Sequence, residues 1–168
     1  MTPTARRPVH VAAASVRTAI RTPWGDRISE VVPASLTAGA FASFHVFASA
    51  SAARPAYVHH AADEAIVVVS GTVTVEVAGQ GPPADLTAGA AVYVPRGALR
   101  SFRTGASGAW LLVTQTPGQE LGDVPEHLAN ASADPAAESY RHLTRALAEC
   151  GVELVPVRRD LSRGSAPG

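Results

Sequence analysis

The chain contains no lysine: all 14 of its basic residues are arginine. That absence removes Schiff-base chemistry on a lysine amine and every phosphate loop that depends on a lysine. A single cysteine, Cys150, leaves no internal disulfide to form, and a reducing cytoplasm is the expected compartment. Neither sign of charge is in excess, with 14 basic residues against 14 acidic, so no strong field draws nucleic acid or an anionic membrane. Long hydrophobic runs are missing as well. The six-residue apolar patch ahead of Arg17 is too short for a signal-peptide core or a membrane span. No nucleotide-binding glycine fingerprint and no internal repeat is present.

What remains is 168 residues, 46% of them hydrophobic, enough for one domain with a real core. From about residue 36 to 116, short apolar runs alternate with Gly and Pro. The runs 40–49, 64–70, 72–79, 90–95, 99–104 and 109–115 each read as a strand. Turn signals at intervals of roughly ten residues suggest an all-β sandwich or barrel. Further on, Asp134 is a candidate N-cap, Pro135 a first helical residue and Gly151 a stop. Tyr140, Leu143, Leu147 and Cys150 share one helical face, expected to pack on the barrel's outside or against a partner chain. On that face Cys150 reads as a small packed residue rather than a nucleophile. Both ends of the chain, 1–8 and 162–168, are rich in Pro, Ser, Gly and Arg and read as loose tails.

Two segments carry candidate chemistry. In "YVHHAADEAIVVVSG" (57–71), His59 is followed by four residues, Glu64, six residues and Gly71; in 89–104, Gly89, Pro95 and Gly97 precede Arg100. These spacings resemble the two motifs of the cupin superfamily, over roughly residues 30–117. The tail of the chain also resembles small single-domain cupins of the quercetin dioxygenase-like type. The resemblance implies an all-β jelly-roll barrel, the double-stranded β-helix, with a C-terminal α-helix. The expected organisation is an N-terminal arm (1–29), the barrel (30–117), a helical extension (118–161) and a disordered tail (162–168).

The resemblance also implies a metal site made of two histidines and a glutamate from the first motif and a histidine from the second. Here those positions are Tyr57, His59, Glu64 and Arg100. Alternate strand residues share a face, so Tyr57 and His59 point inward together and His60 points away. A guanidinium has no lone pair to offer a metal and would put a cation where the ion sits. No cofactor is therefore expected. A divalent metal (Fe, Ni, Mn or Zn) would need His45, from the earlier strand, beside His59 and Glu64. The plainer reading of His45 is a strand-face residue, and of His10, His127 and His142, solvated surface residues.

Without a metal, Tyr57, His59, Glu64 and Arg100 are parts for moving protons, with Arg100 free to hold a carboxylate or enolate. Phe102, Ile66, Val68 and His45 are the candidate substrate-contacting residues. The plainer alternative is a buried Glu64–Arg100 pair in a plugged barrel. Three functions stay open: a metal-independent isomerase, dehydratase or cyclase on a small oxygenated molecule; a metal-dependent quercetinase-like dioxygenase; and a non-catalytic small-molecule binder. The composition resembles that of high-GC bacteria, in which such cupins often serve specialised metabolism. A homodimer is expected, built on the apolar side of the C-terminal helix and the N-terminal arm, with neither nucleic acid nor membrane as partner.

Overall fold

The computed structural model of the protein describes residues 20–50 and 54–155. His10, most of the N-terminal arm and the tail beyond 161 lie outside those residues. In chain order come strands β1 (Ile20–Arg21), β2 (Arg27–Val32), β3 (Ala42–Ala48), β4 (Ala56–His59), β5 (Asp63–Val77), β6 (Ala84–Thr87), β7 (Ala91–Val94) and β8 (Leu99–Thr116). Helices α1 (Val124–Asn130) and α2 (Glu138–Glu149) and strand β9 (Val152–Val155) complete the described chain. Strand β2 runs across residue 30, and β9 brings the C-terminal extension back into the sheet.

Two long strands organise everything else. β5 and β8 pair antiparallel along nearly their whole length, from Asp63↔Thr116 to Val77↔Arg100. The first half of β5 and the second half of β8 form one layer with β7, β3, β2 and β1. Their other halves form a second layer with β6 on one side and β4 and β9 on the other. The antiparallel sheet therefore curls into an all-β jelly-roll barrel.

The runs 64–70 and 72–79 belong to one strand, as do 99–104 and 109–115. Gly71 is not a turn between strands. It has φ +85°, and the β5–β8 register shifts on both sides of it, so the strand bends there without ending. A Cβ at Gly71 would lie 2.6 Å from the Gly108 carbonyl oxygen and 2.9 Å from the Ala109 Cα. Both the dihedral and the close approach thus call for glycine.

The barrel core is Ala48, Ile66, Val68, Val73, Val75, Val94, Ala109 and Leu111. A second cluster joins Val124 and Leu128 of α1 to Leu143 and Ala146 of α2, with Ile20, Trp24 and Leu154 packed against it. Leu143 and Ala146 of α2 are therefore covered within the chain, by α1 and by residues of β1 and β9. The helix also starts later than its sequence suggests. Asp134 Oδ1 accepts from the Ala136 amide at 2.9 Å, a local turn that leaves Pro135 ahead of the helix and Ala137 at the cap. Gly151, at φ +76°, ends it and lets the chain pass Ala61 into β9.

Replacing Gly71 by Ala is expected to destabilise the fold by at least about 2 kcal/mol, from the left-handed dihedral and the backbone clash together. Urea unfolding measures it; a loss within a few tenths of a kcal/mol of wild type would show that β5 bends without needing the glycine.

Candidate functional site

Alternation along four strands builds one cavity of about 220 Å³. Phe44 and Val46 of β3, Glu64 and Ile66 of β5, and Leu111, Val113 and Gln115 of β8 face it. Tyr57 and His59 of β4 and Phe102 of β8 join them from the second layer. Leu121, Val124, Leu128, Leu147 and Cys150 line it from the helical extension, so α1 and α2 roof the barrel mouth.

The polar groups converge on Glu64. The Tyr57 hydroxyl donates to its Oε2 at 2.9 Å, and Gln115 Nε2 donates to its Oε1 at 3.0 Å. Arg100 Nη2 lies 2.6 Å from Oε2, in an ion pair whose side chains are 0% and 2% exposed. The register explains the meeting: Tyr57 is directly opposite Arg100, and Glu64 is directly opposite Gln115. The Arg100 guanidinium also stacks 4.6 Å from the centre of the Tyr57 ring and donates from Nη1 to the Ala98 carbonyl at 2.9 Å. Its Nε and Nη2 have no well-aligned acceptor among the described residues.

These contacts fix protonation states. Burial of Tyr57, then the adjacent Glu64 charge, push its phenol far above the ordinary value, so it remains a donor. Burial would lower the Arg100 pKa, but Tyr57 and Glu64 outweigh it and the guanidinium stays charged. Burial pulls His59 below its ordinary 6.5, with Glu64 opposing. His59 Nδ1 accepts the amides of Ala62 at 3.1 Å and Ala61 at 3.3 Å, which leaves the proton of the neutral ring on Nε2.

The structure brings Tyr57, His59, Glu64, Phe102 and Ile66 to one wall and separates three other candidates. Arg100 lies behind Glu64 and Tyr57 and does not line the cavity, because stacking and the ion pair use up its reach. Val68 is buried in the barrel core and does not line the cavity. His45 is on the opposite sheet face, stacked on Trp110 with ring centres 4.6 Å apart. His60 points outward to Glu153, with Nε2 and Oε2 2.9 Å apart. Sequence reasoning missed Gln115, Gln119 and Trp24 as wall residues. For Gln115 a signal existed: it continues the inward series Leu111, Val113 as a polar residue on an apolar strand face.

The donor set does not fit a metal ion. Of the four positions implied by the motifs, only His59 and Glu64 carry ligands, and Glu64 is paired with a buried cation. With His45 on the other face, no third ligand joins them. Among the described residues no group of three or more His, Cys, Asp or Glu is arranged to hold an ion. His127 and His142, with ring centres 6.4 Å apart on the helical extension, face the carboxylates of Asp123 and Glu138.

Two outcomes follow. The double variant Tyr57→His, Arg100→His should retain near-stoichiometric Ni, Fe or Zn after dialysis, while wild type holds little and each single variant holds less than the double. Elemental analysis decides; a metal-free double variant would mean these positions do not converge on Glu64. Second, unfolded His59 takes its proton near 6.5 and folded His59 only below that. Its contribution to stability is thus complete above pH 6.5 and declines as pH falls toward the folded value. Melting curves of wild type should drop more steeply below pH 6.5 than those of His59→Gln; parallel curves would refute this.

Residues 44–114 match the family model described as "Cupin domain". No curated protein matches. Among solved structures, ectoine synthase from P. lautus superposes with a TM-score of 0.56 at 16% identity, covering 90% of this chain and 91% of that one. The Streptomyces protein PAC13, solved with uridine, gives 0.52 at 10% identity, covering 66% and 83%. Oxalate decarboxylase from Bacillus subtilis gives 0.50 at 21% identity, covering 61% of this chain and 28% of that longer one. The match to the cupin domain thus covers the segment built around the bent β5–β8 pair, with both motif segments facing one cavity.

Proposed function

We propose that the protein is a metal-independent enzyme that moves protons on a small oxygenated molecule, by isomerisation, dehydration or ring closure through an enol. The observation that carries this reading is a carboxylate held by Tyr57, Gln115 and Arg100 at the edge of a largely apolar cavity, with a neutral histidine beside it. Water-poor surroundings and fixed partners are what a general base needs to act in a defined direction.

In this mechanism Glu64 takes a proton from the carbon next to a substrate carbonyl. The electron pair moves into the carbonyl, and the developing oxyanion accepts a hydrogen bond from His59 Nε2–H. Glu64 then returns the proton to another carbon, or to a departing hydroxyl that leaves as water. Arg100 never touches substrate. It balances the Glu64 charge from behind and, through Tyr57, holds the carboxylate in place.

Catalytic relatives of this fold are compatible with the proposal, since the neighbours named above include a synthase and a decarboxylase. A second reading, binding without turnover, is favoured by one observation: both Glu64 oxygens already have partners.

Hydrogen–deuterium exchange separates the two. Wild type in heavy water should speed exchange of the α-protons of 4-tert-butylcyclohexanone above the buffer rate, and Glu64→Gln should lose at least about 100-fold of that gain. Binding of the ketone without faster exchange would favour the binding-only reading.

A further inference from the structure

The charges around the cavity point to what it admits. Arg54 is the only arginine on its wall among the described residues, and its donors are largely committed. Its Nε donates to Asp26 Oδ2 at 2.8 Å and its Nη2 pairs with Asp26 Oδ1. Nη2 also donates to the Ser49 carbonyl at 2.7 Å, and Nη1 to the Phe102 carbonyl at 3.3 Å. Asp26 in turn accepts Trp24 Nε1 at 2.8 Å and the Ser49 amide at 2.7 Å. That side of the wall is a closed, neutral clamp. The other cation near the site, Arg100, is shielded by Glu64 and Tyr57, so the charge presented to the cavity there is the Glu64 carboxylate.

An entering carboxylate or phosphate would lose its hydration, meet no free cation and face Glu64. An uncharged oxygen is better served, because Gln115, Gln119 and His59 all line the wall. Most of the remaining surface is apolar, made of Phe, Trp, Leu, Ile and Val side chains. Size narrows the class further. An apolar cavity of about 150 Å³ takes benzene, so 220 Å³ suits one substituted ring or a small bicycle.

We infer that the cavity selects an uncharged, largely apolar ring compound carrying one hydroxyl or carbonyl oxygen, and rejects acidic and phosphorylated molecules of the same size. This rests on reading the cavity as the substrate site. It replaces the expectation that Arg100 anchors an anion.

Three probes of one shape test it by calorimetry at pH 7.5: 4-tert-butylphenol, 4-tert-butylbenzoate and 4-tert-butylbenzylamine. The phenol should bind at least tenfold more tightly than either charged probe. Trp24 reports the location. In a Trp110→Phe variant it is the remaining tryptophan, and its emission should change with the phenol. Glu64→Gln leaves Arg100 without its partner and should bring the benzoate level with or above the phenol. The wild-type ranking stands without that variant if it fails to fold. Equal or tighter binding of the benzoate by wild type, preference for the ammonium, or no binding of any probe at millimolar concentration would each overturn the inference. Phenol selectivity without α-proton exchange removes the catalytic reading alone; exchange together with benzoate preference removes the ligand class alone.

Discussion

A carboxylate and a guanidinium, both sealed from solvent, hold the centre of this protein together. Glu64 belongs to the first half of β5 and Arg100 to the first half of β8, so their ion pair ties one layer of the jelly roll to the other. Tyr57 adds β4 through its hydrogen bond to Glu64 and its ring against Arg100. Burying two charges is costly, and attraction offsets that cost only when the geometry is good. Removing either partner alone would strand the other and cost about 3–5 kcal/mol. The pair is thus a weak source of net stability and a strong constraint on position.

That constraint explains why the site departs from the metal-binding pattern that its two motifs resemble. A metal ion and a buried guanidinium both neutralise the glutamate, but they do so differently. An ion draws ligands around one point and can keep a position open to substrate. A guanidinium is planar, stacks on Tyr57, and satisfies the carboxylate from behind. The cavity-facing side is then left to neutral donors, Gln115 and His59, and to the phenol of Tyr57. On the proposed function, the chemistry then rests on proton transfer and not on Lewis acidity.

Much of the fold was legible because β-strands have a two-residue period and turns need glycine. Parity alone brings Tyr57, His59, Ile66 and Phe102 to one side. It fails at His45 because both faces of β3 are apolar or aromatic: Phe44 and Val46 point in, while His45 stacks on Trp110 and Phe47 packs tilted against it. It also says nothing about depth, and so cannot tell Val68 in the core from Ile66 on the cavity wall. Nor does it say where a long side chain ends. Arg100 starts on the inward face and folds back between Tyr57 and Glu64. Gly71 looks like a turn because a bend within a strand and a turn between strands use the same positive φ.

The roof was least legible, and it has the greatest effect on what the cavity is. An amphipathic helix announces only that one face needs cover, and an outer sheet, a partner chain or an open barrel end would each serve. Here β9 pairs with β4, the strand that carries Tyr57 and His59. That pairing leaves α2 little choice, since Gly151 joins it directly to β9. With its C-terminal end held beside the barrel mouth, α2 turns Leu147 and Cys150 toward the cavity, and α1 adds Val124 and Leu128. The wall around the Glu64 carboxylate is therefore completed by residues far from it in sequence. Changes in the helical extension would reshape the pocket while leaving the barrel and the Glu64–Arg100 pair intact.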